Sequence, residues 1–140
     1  MDTSLALGDR GAGAFLAALL FTQVLETPIY FLALRRFGPA RRWRRNAAIA
    51  FAASLITHPI VWFVVPLLWG ACYARAVAWG AAPLGLVART WSYGVCAEGF
   101  AVVAEAMFLR ACKLRGALAW SLGANAVSAL GGLAWRGLQP

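Results

Sequence analysis

The sequence predicts an all-α integral membrane protein built as a four-helix transmembrane bundle. Composition is the first reason: of 140 residues, 62% are hydrophobic and 13% charged, whereas a soluble domain has roughly 45–50% apolar and about 25% charged residues. Spacing is the second, because the apolar residues fall into segments of about 20 residues, the length that crosses a hydrocarbon core. The third is that most basic residues collect in the short connections between those segments. The length accommodates one transmembrane domain, 1–140.

The first span covers 11–34. It is too long for the apolar region of a signal peptide and no basic stretch precedes it. Arg35 and Arg36 follow it, so it enters with its amino end outside. The connection 35–45 carries Arg35, Arg36, Arg41, Arg42, Arg44 and Arg45. The second span covers 46–69. Residues 71–88 are apolar enough for a further helix, but Gly80, Pro83 and Gly85 interrupt them, and a short interfacial helix at the outer face is expected there. The third span covers 90–109, closed by Arg110, Lys113 and Arg115, and the fourth covers 116–135.

Nine basic residues lie in 35–45 and 110–115, and four (Arg10, Arg75, Arg89 and Arg136) on the other side. The positive-inside rule then places both termini outside and the arginine-rich connections in the cytoplasm. Trp69, Trp79, Trp91 and Trp135 fall near the outer interface, Trp43 and Trp120 near the inner one. A bacterial-type inner (plasma) membrane is the expected location. The 35–45 connection should attract anionic lipid.

The net charge of +8 is not a nucleic-acid signature, because the cations sit beside spans without stacking aromatics in a soluble segment. Cys72, Cys96 and Cys112 have no metal-ligand spacing and imply no disulfide framework. Phosphate-cradling glycine loops, nucleophile elbows and paired-histidine zinc helices are missing from the sequence, and no cofactor is indicated.

What stands out is polar residues inside the spans, where each ionisable group is costly. Gln23, Glu26 and Tyr30 share one helical face by their i, i+3, i+7 spacing. Ser54 and His58 are four apart, with Thr57 beside them. Glu98 and Glu105 are seven apart, and Ser121, Asn125 and Ser128 repeat at i, i+4, i+7. Each span thus has one polar stripe, and the stripes should face one another. Counted from the cytoplasmic ends, Glu26 and Asn125 lie about nine residues deep and His58 and Glu98 about twelve. At ~1.5 Å per residue that is roughly 13–18 Å, near the middle of a ~30 Å core. Glu26, His58, Glu98 and Asn125 are therefore expected to share one slab, with Tyr30, Glu105 and Ser121 in a second layer nearer the cytoplasm. Pro28 and Pro59 sit beside this slab and interrupt helical hydrogen bonding there.

Three functions follow. Transport of protons, cations or a small polar solute is favoured, with Glu26, His58, Glu98 and Asn125 as the working residues and Gln23, Tyr30, Ser54, Thr57, Glu105, Ser121 and Ser128 as binding neighbours. Four spans enclose little space, so a homo-oligomer or larger membrane complex is expected. The alternative is a hydrolase-type intramembrane enzyme with a Glu/His/Asn site; its metal-dependent form would use His58, Glu26 and Glu98. In the last, the stripes pack a non-catalytic subunit or assembly factor against a partner. The Glu, His and Asn set resembles that of glutamate-dependent intramembrane proteases, but their paired glutamates and second histidine are missing, so no activity carries over. Glu105, near Arg110, is equally suited to an ion pair at the inner face.

Overall fold

In the computed structural model, residues 11–39 and 42–137 are described; Arg10, Arg41, the side chain of Arg136 and residues 138–140 lie outside the described residues. All regular structure among them is helical: α1 (Ala12–Phe37), α2 (Trp43–Pro59), a π-helical turn (Ile60–Val64), α3 (Val65–Ala78), α4 (Leu86–Ala111) and α5 (Ala117–Gly137). Four helical stretches are long and apolar enough to span a membrane: Ala12–Phe37, Trp43–Ala78, Leu86–Ala111 and Ala117–Trp135. They form an up-down-up-down bundle in which α1 packs on α2 and α5, and α4 packs on α5 and α2.

The second stretch departs from expectation. Residues 71–78 form no separate helix; they continue the second helix, which runs unbroken from Trp43 to Ala78. Pro59 cannot donate its missing N–H, and the chain accommodates it by widening into the π-turn Ile60–Val64 rather than breaking. At ~1.5 Å per residue the continuous helix is roughly 54 Å long, well beyond a ~30 Å hydrocarbon core. Its far end is tied back to α4 by an edge-on ring contact and a cation over the rings. Trp69 lies 5.2 Å from Tyr73 and 5.9 Å from Tyr93, and the Arg89 guanidinium covers both Trp69 and Tyr73. The helix ends at Ala78, and Gly80, at φ +93°, supplies the left-handed turn that reverses the chain.

Packing is uneven along the bundle. Near the arginine-rich connections, Tyr30, Ala33, Leu34, Ala50, Ala53, Leu109, Leu114, Ala117 and Ala124 form one buried core. Small residues on α2 and α5 let the helices approach closely there. Toward the other end the bundle is open: no residue of α1 before Gln23 is fully buried. On α5 the close approach to α1 falls at Gly131. A Cβ on Gly131 would meet Leu25 at 3.0 Å and Phe21 at 3.2 Å, whereas Gly132 has open space.

Candidate functional site

A polar network fills the junction between the closed and open halves. Each helix contributes from one face. On α1, Gln23, Glu26 and Tyr30 all point inward and are buried, as their spacing requires. On α2 the buried stripe is Asn46, Ala50, Ala53, Ser54 and Thr57. On α5, Ser121, Ala124 and Asn125 are buried and Ser128 is half-buried.

Two carboxyl groups organise the network. Glu105, 1% exposed, accepts from Thr57 Oγ1 at 2.7 Å, from Asn125 Nδ2 at 2.7 Å and from the Tyr30 hydroxyl. It therefore joins α1, α2 and α5 to α4. Glu26, also 1% exposed, accepts from Ser54 Oγ at 2.5 Å and Ser128 Oγ at 2.6 Å. The two carboxyls are close enough to interact electrostatically. No cation neutralises either, because no salt bridge is found among the described residues. Around them, Ser121 donates to the Val102 carbonyl at 2.8 Å, Thr27 donates to Gln23 Oε1 at 2.6 Å, and Gln23 donates to the Phe51 carbonyl at 3.2 Å.

The donors are not equivalent. The Asn125 amide nitrogen can only donate, and it lies 3.0 Å from the Ser121 carbonyl and 3.3 Å from the Tyr30 hydroxyl as well as on Glu105. A hydroxyl can turn round. Ser128 Oγ sits 3.0 Å from the Asn125 carbonyl as well as 2.6 Å from Glu26, so it can donate to that carbonyl while accepting a hydrogen bond from a protonated Glu26. Thr57 Oγ1 likewise lies 3.2 Å from the Ser54 carbonyl, so the difference between the two carboxyls is Asn125: Glu105 faces one group that can only donate, whereas Glu26 meets hydroxyls alone.

The expected slab is only partly assembled. Glu26 and Asn125 are buried, but Asn125 bonds in the layer of Tyr30 and Glu105, not beside Glu26. His58 points elsewhere: it is one residue past the inward Thr57, about 100° further round the helix. Its ring packs 5.5 Å from Phe15 and 6.0 Å from Trp62, and its Nε2 is buried with no hydrogen-bond partner. Glu98 is exposed and makes no hydrogen bond among the described residues, although it interacts electrostatically with Glu26 and Glu105. Its angle on α4 matches that of Glu105, but at its height the helices no longer close over it. The triad His58, Glu26 and Glu98 accordingly does not converge, and no group of three His, Cys, Asp or Glu side chains that could hold a metal is found among the described residues. Glu105 forms no ion pair with Arg110; it is the hub. Sequence reasoning missed Asn46, 2% exposed, although its spacing of four from Ala50 and eight from Ser54 puts it on the buried stripe.

Set beside models of known protein families, curated proteins and solved structures, the chain gives no match.

Proposed function

We propose that the four apolar helices cross a lipid bilayer and that the Glu26–Glu105 network binds and releases protons within it. The single observation behind this is a pair of fully buried, interacting carboxyl groups with only neutral hydrogen-bond donors around them. Two full negative charges in such a medium repel strongly and are costly to desolvate, so the pair holds at least one proton. The Ser128 hydroxyl, which can turn to the Asn125 carbonyl, favours that proton on Glu26, and the Asn125 amide nitrogen, which can only donate, favours the charge on Glu105.

Membrane insertion is supported by the surface. Leu20, Val24, Leu130 and Met107 are 64–70% exposed on the bundle exterior, and apolar area on this scale is tolerated in lipid far better than in water. The basic count favours cytoplasmic connections at 35–45 and 110–115, with both termini outside. In this conformation the closed core seals the network from the arginine-rich end. Glu98, exposed and in electrostatic range of Glu26, then serves as the proton relay on the open side. The exposure of Glu98 on an apolar bundle also favours a homo-oligomer or larger assembly that would shield it. No comparable feature favours a larger cargo, because Glu26, Tyr30, Glu105 and Ser121 leave at most 1% of their surface accessible.

A second reading has its own observation. Every donor around the two carboxyls is paired, as expected of a clamp that only holds four helices together. Proton flux separates the two. Liposomes containing the protein and an internal pH dye should dissipate an imposed pH gradient faster than empty liposomes, and Glu26→Gln should remove the difference. Gradient decay at the empty-liposome rate with correctly folded wild-type protein would leave the clamp.

A further inference from the structure

At the arginine-rich end, a cavity of about 360 Å³ opens between the two short connections, lined by Arg36, Phe37, Gly38, Pro39, Lys113 and Arg115. We propose that it is a binding site for a phosphate group, and for a phosphomonoester in preference to a phosphodiester because three cations meet there. The group comes either from an anionic lipid headgroup or from a free phosphorylated solute.

Cations beside helix C-termini ordinarily serve the helix, by complementing its dipole and bonding its last carbonyls. Here several of those carbonyls are already used by the backbone. The Gly38 N–H bonds Leu34 O at 3.0 Å, Lys113 N–H bonds Arg110 O at 2.8 Å, and Leu114 N–H bonds Leu109 O at 2.9 Å. Arg36, Lys113 and Arg115 make no side-chain hydrogen bond and no ion pair among the described residues, and all three are exposed. Arg36 has only the ring of its neighbour Phe37, 5.8 Å away. The chain's acidic residues are Asp2, Asp9, Glu26, Glu98 and Glu105, so neither connection contains one. Three uncommitted cations without a counter-charge are what a multiply charged oxyanion requires.

The walls of the cavity are held by turns that tolerate little change. A Cβ on Gly38 would fall 2.5 Å from Leu34 O, so this close backbone approach admits glycine alone. Lys113 has φ +65° and is the one non-glycine residue with positive φ among the described residues. A lysine in the left-handed region is uncommon. Two connections far apart in sequence thereby present one cationic site.

The lipid source rests on the membrane-spanning orientation proposed above; the phosphate chemistry does not, and the test keeps them apart. Purified full-length protein in a zwitterionic detergent would be titrated with inorganic phosphate, and protein in phosphatidylcholine nanodiscs with phosphatidic acid. Saturable binding is expected in at least one arm, weakened about tenfold by Lys113→Gln or Arg115→Gln, the loss of one charge-assisted contact. Arg44→Gln, which removes the same charge outside the cavity, should change it by less than about twofold. Phosphate binding in detergent identifies a free phosphorylated solute, and binding of phosphatidic acid alone identifies a lipid headgroup. Equal weakening by Arg44→Gln would overturn the site in favour of a diffuse positive surface, and so would failure to saturate in both arms. Circular dichroism of the variants verifies that these exposed substitutions leave the fold intact. Failure of the membrane reading would show separately, as monodisperse protein without detergent.

Discussion

The two halves of the bundle contain the same kinds of residue at the same spacings and treat them differently. Glu105 and Glu98 lie on one face of one helix, seven residues apart. Near the arginine-rich connections, three other helices close over that face and Glu105 becomes a hub with three donors. Two turns further along, Glu98 is left exposed although its neighbour Ala97 is buried. Helical phase decides which way a side chain points; the neighbours at its height decide whether it is buried. The closed half owes its density to alanines (Ala33, Ala50, Ala53, Ala124) opposite a few large side chains (Tyr30, Leu34, Leu109); in the open half Val65 and Ala97 are buried but join no such cluster.

Substituting the two glutamates tests this contrast with the largest expected effect. Glu105→Gln puts an NH₂ donor against Asn125 Nδ2 or the Tyr30 and Thr57 hydroxyls, and removes a charged acceptor. A loss of about 2–4 kcal/mol in unfolding free energy is expected, from charge-assisted bonds broken and buried donors left unpaired. Glu98→Gln should change stability by no more than about 0.5 kcal/mol, as for a surface site. Thermal or denaturant unfolding in detergent measures both, and equal losses would mean that the halves do not differ.

Next in size is the apolar packing. Leu109→Ala in the closed half should cost about 2–5 kcal/mol through lost burial and a residual cavity. Leu20→Ala, 64% exposed in the open half, should cost less than about 0.5 kcal/mol in the same assay.

Four long apolar helices and most of the network were legible in the sequence, because an apolar segment cannot hide its presence and an i, i+3, i+7 stripe cannot point two ways. Gln23, Glu26 and Tyr30 show this, as do Ser121 and Asn125. Less could be read where the answer depends on contacts between helices. Matching depths placed His58 beside Glu26, but a difference of one residue from Thr57 rotates it onto Phe15 and Trp62. Glu105 looked near enough to Arg110 for an ion pair; what buries it instead is the convergence of Tyr30, Thr57 and Asn125 from three other helices. The merging of 71–78 into the second helix depends on Pro59 being absorbed by a π-turn, which no local spacing announces.

Neighbouring glycines on α5 give a finer contrast. Gly132→Ala has open space and should stabilise by about 0.5–1 kcal/mol through helix propensity. At Gly131 the added methyl presses on Leu25 and Phe21, and the crowding should cancel or reverse that gain. A similar stabilisation from both substitutions would show that α1 and α5 are not in contact there. Smallest of all, His58→Phe keeps the ring contacts with Phe15 and Trp62 and removes a buried nitrogen without a partner. Stability should change by no more than about 1 kcal/mol, and a larger loss would reveal a partner of the imidazole, at Nε2 or through the backbone of Phe15.

The proton assigned to Glu26 is most directly tested by infrared difference spectroscopy of the protein in lipid across a pH step. A protonated carboxylic acid has a C=O stretch that a carboxylate lacks. Wild-type protein should show such a band changing with pH, Glu26→Gln should abolish it, and Glu98→Gln should leave it in place. An unchanged band in Glu26→Gln, or none in the wild type at any pH at which the fold survives, would contradict a proton held and exchanged at Glu26.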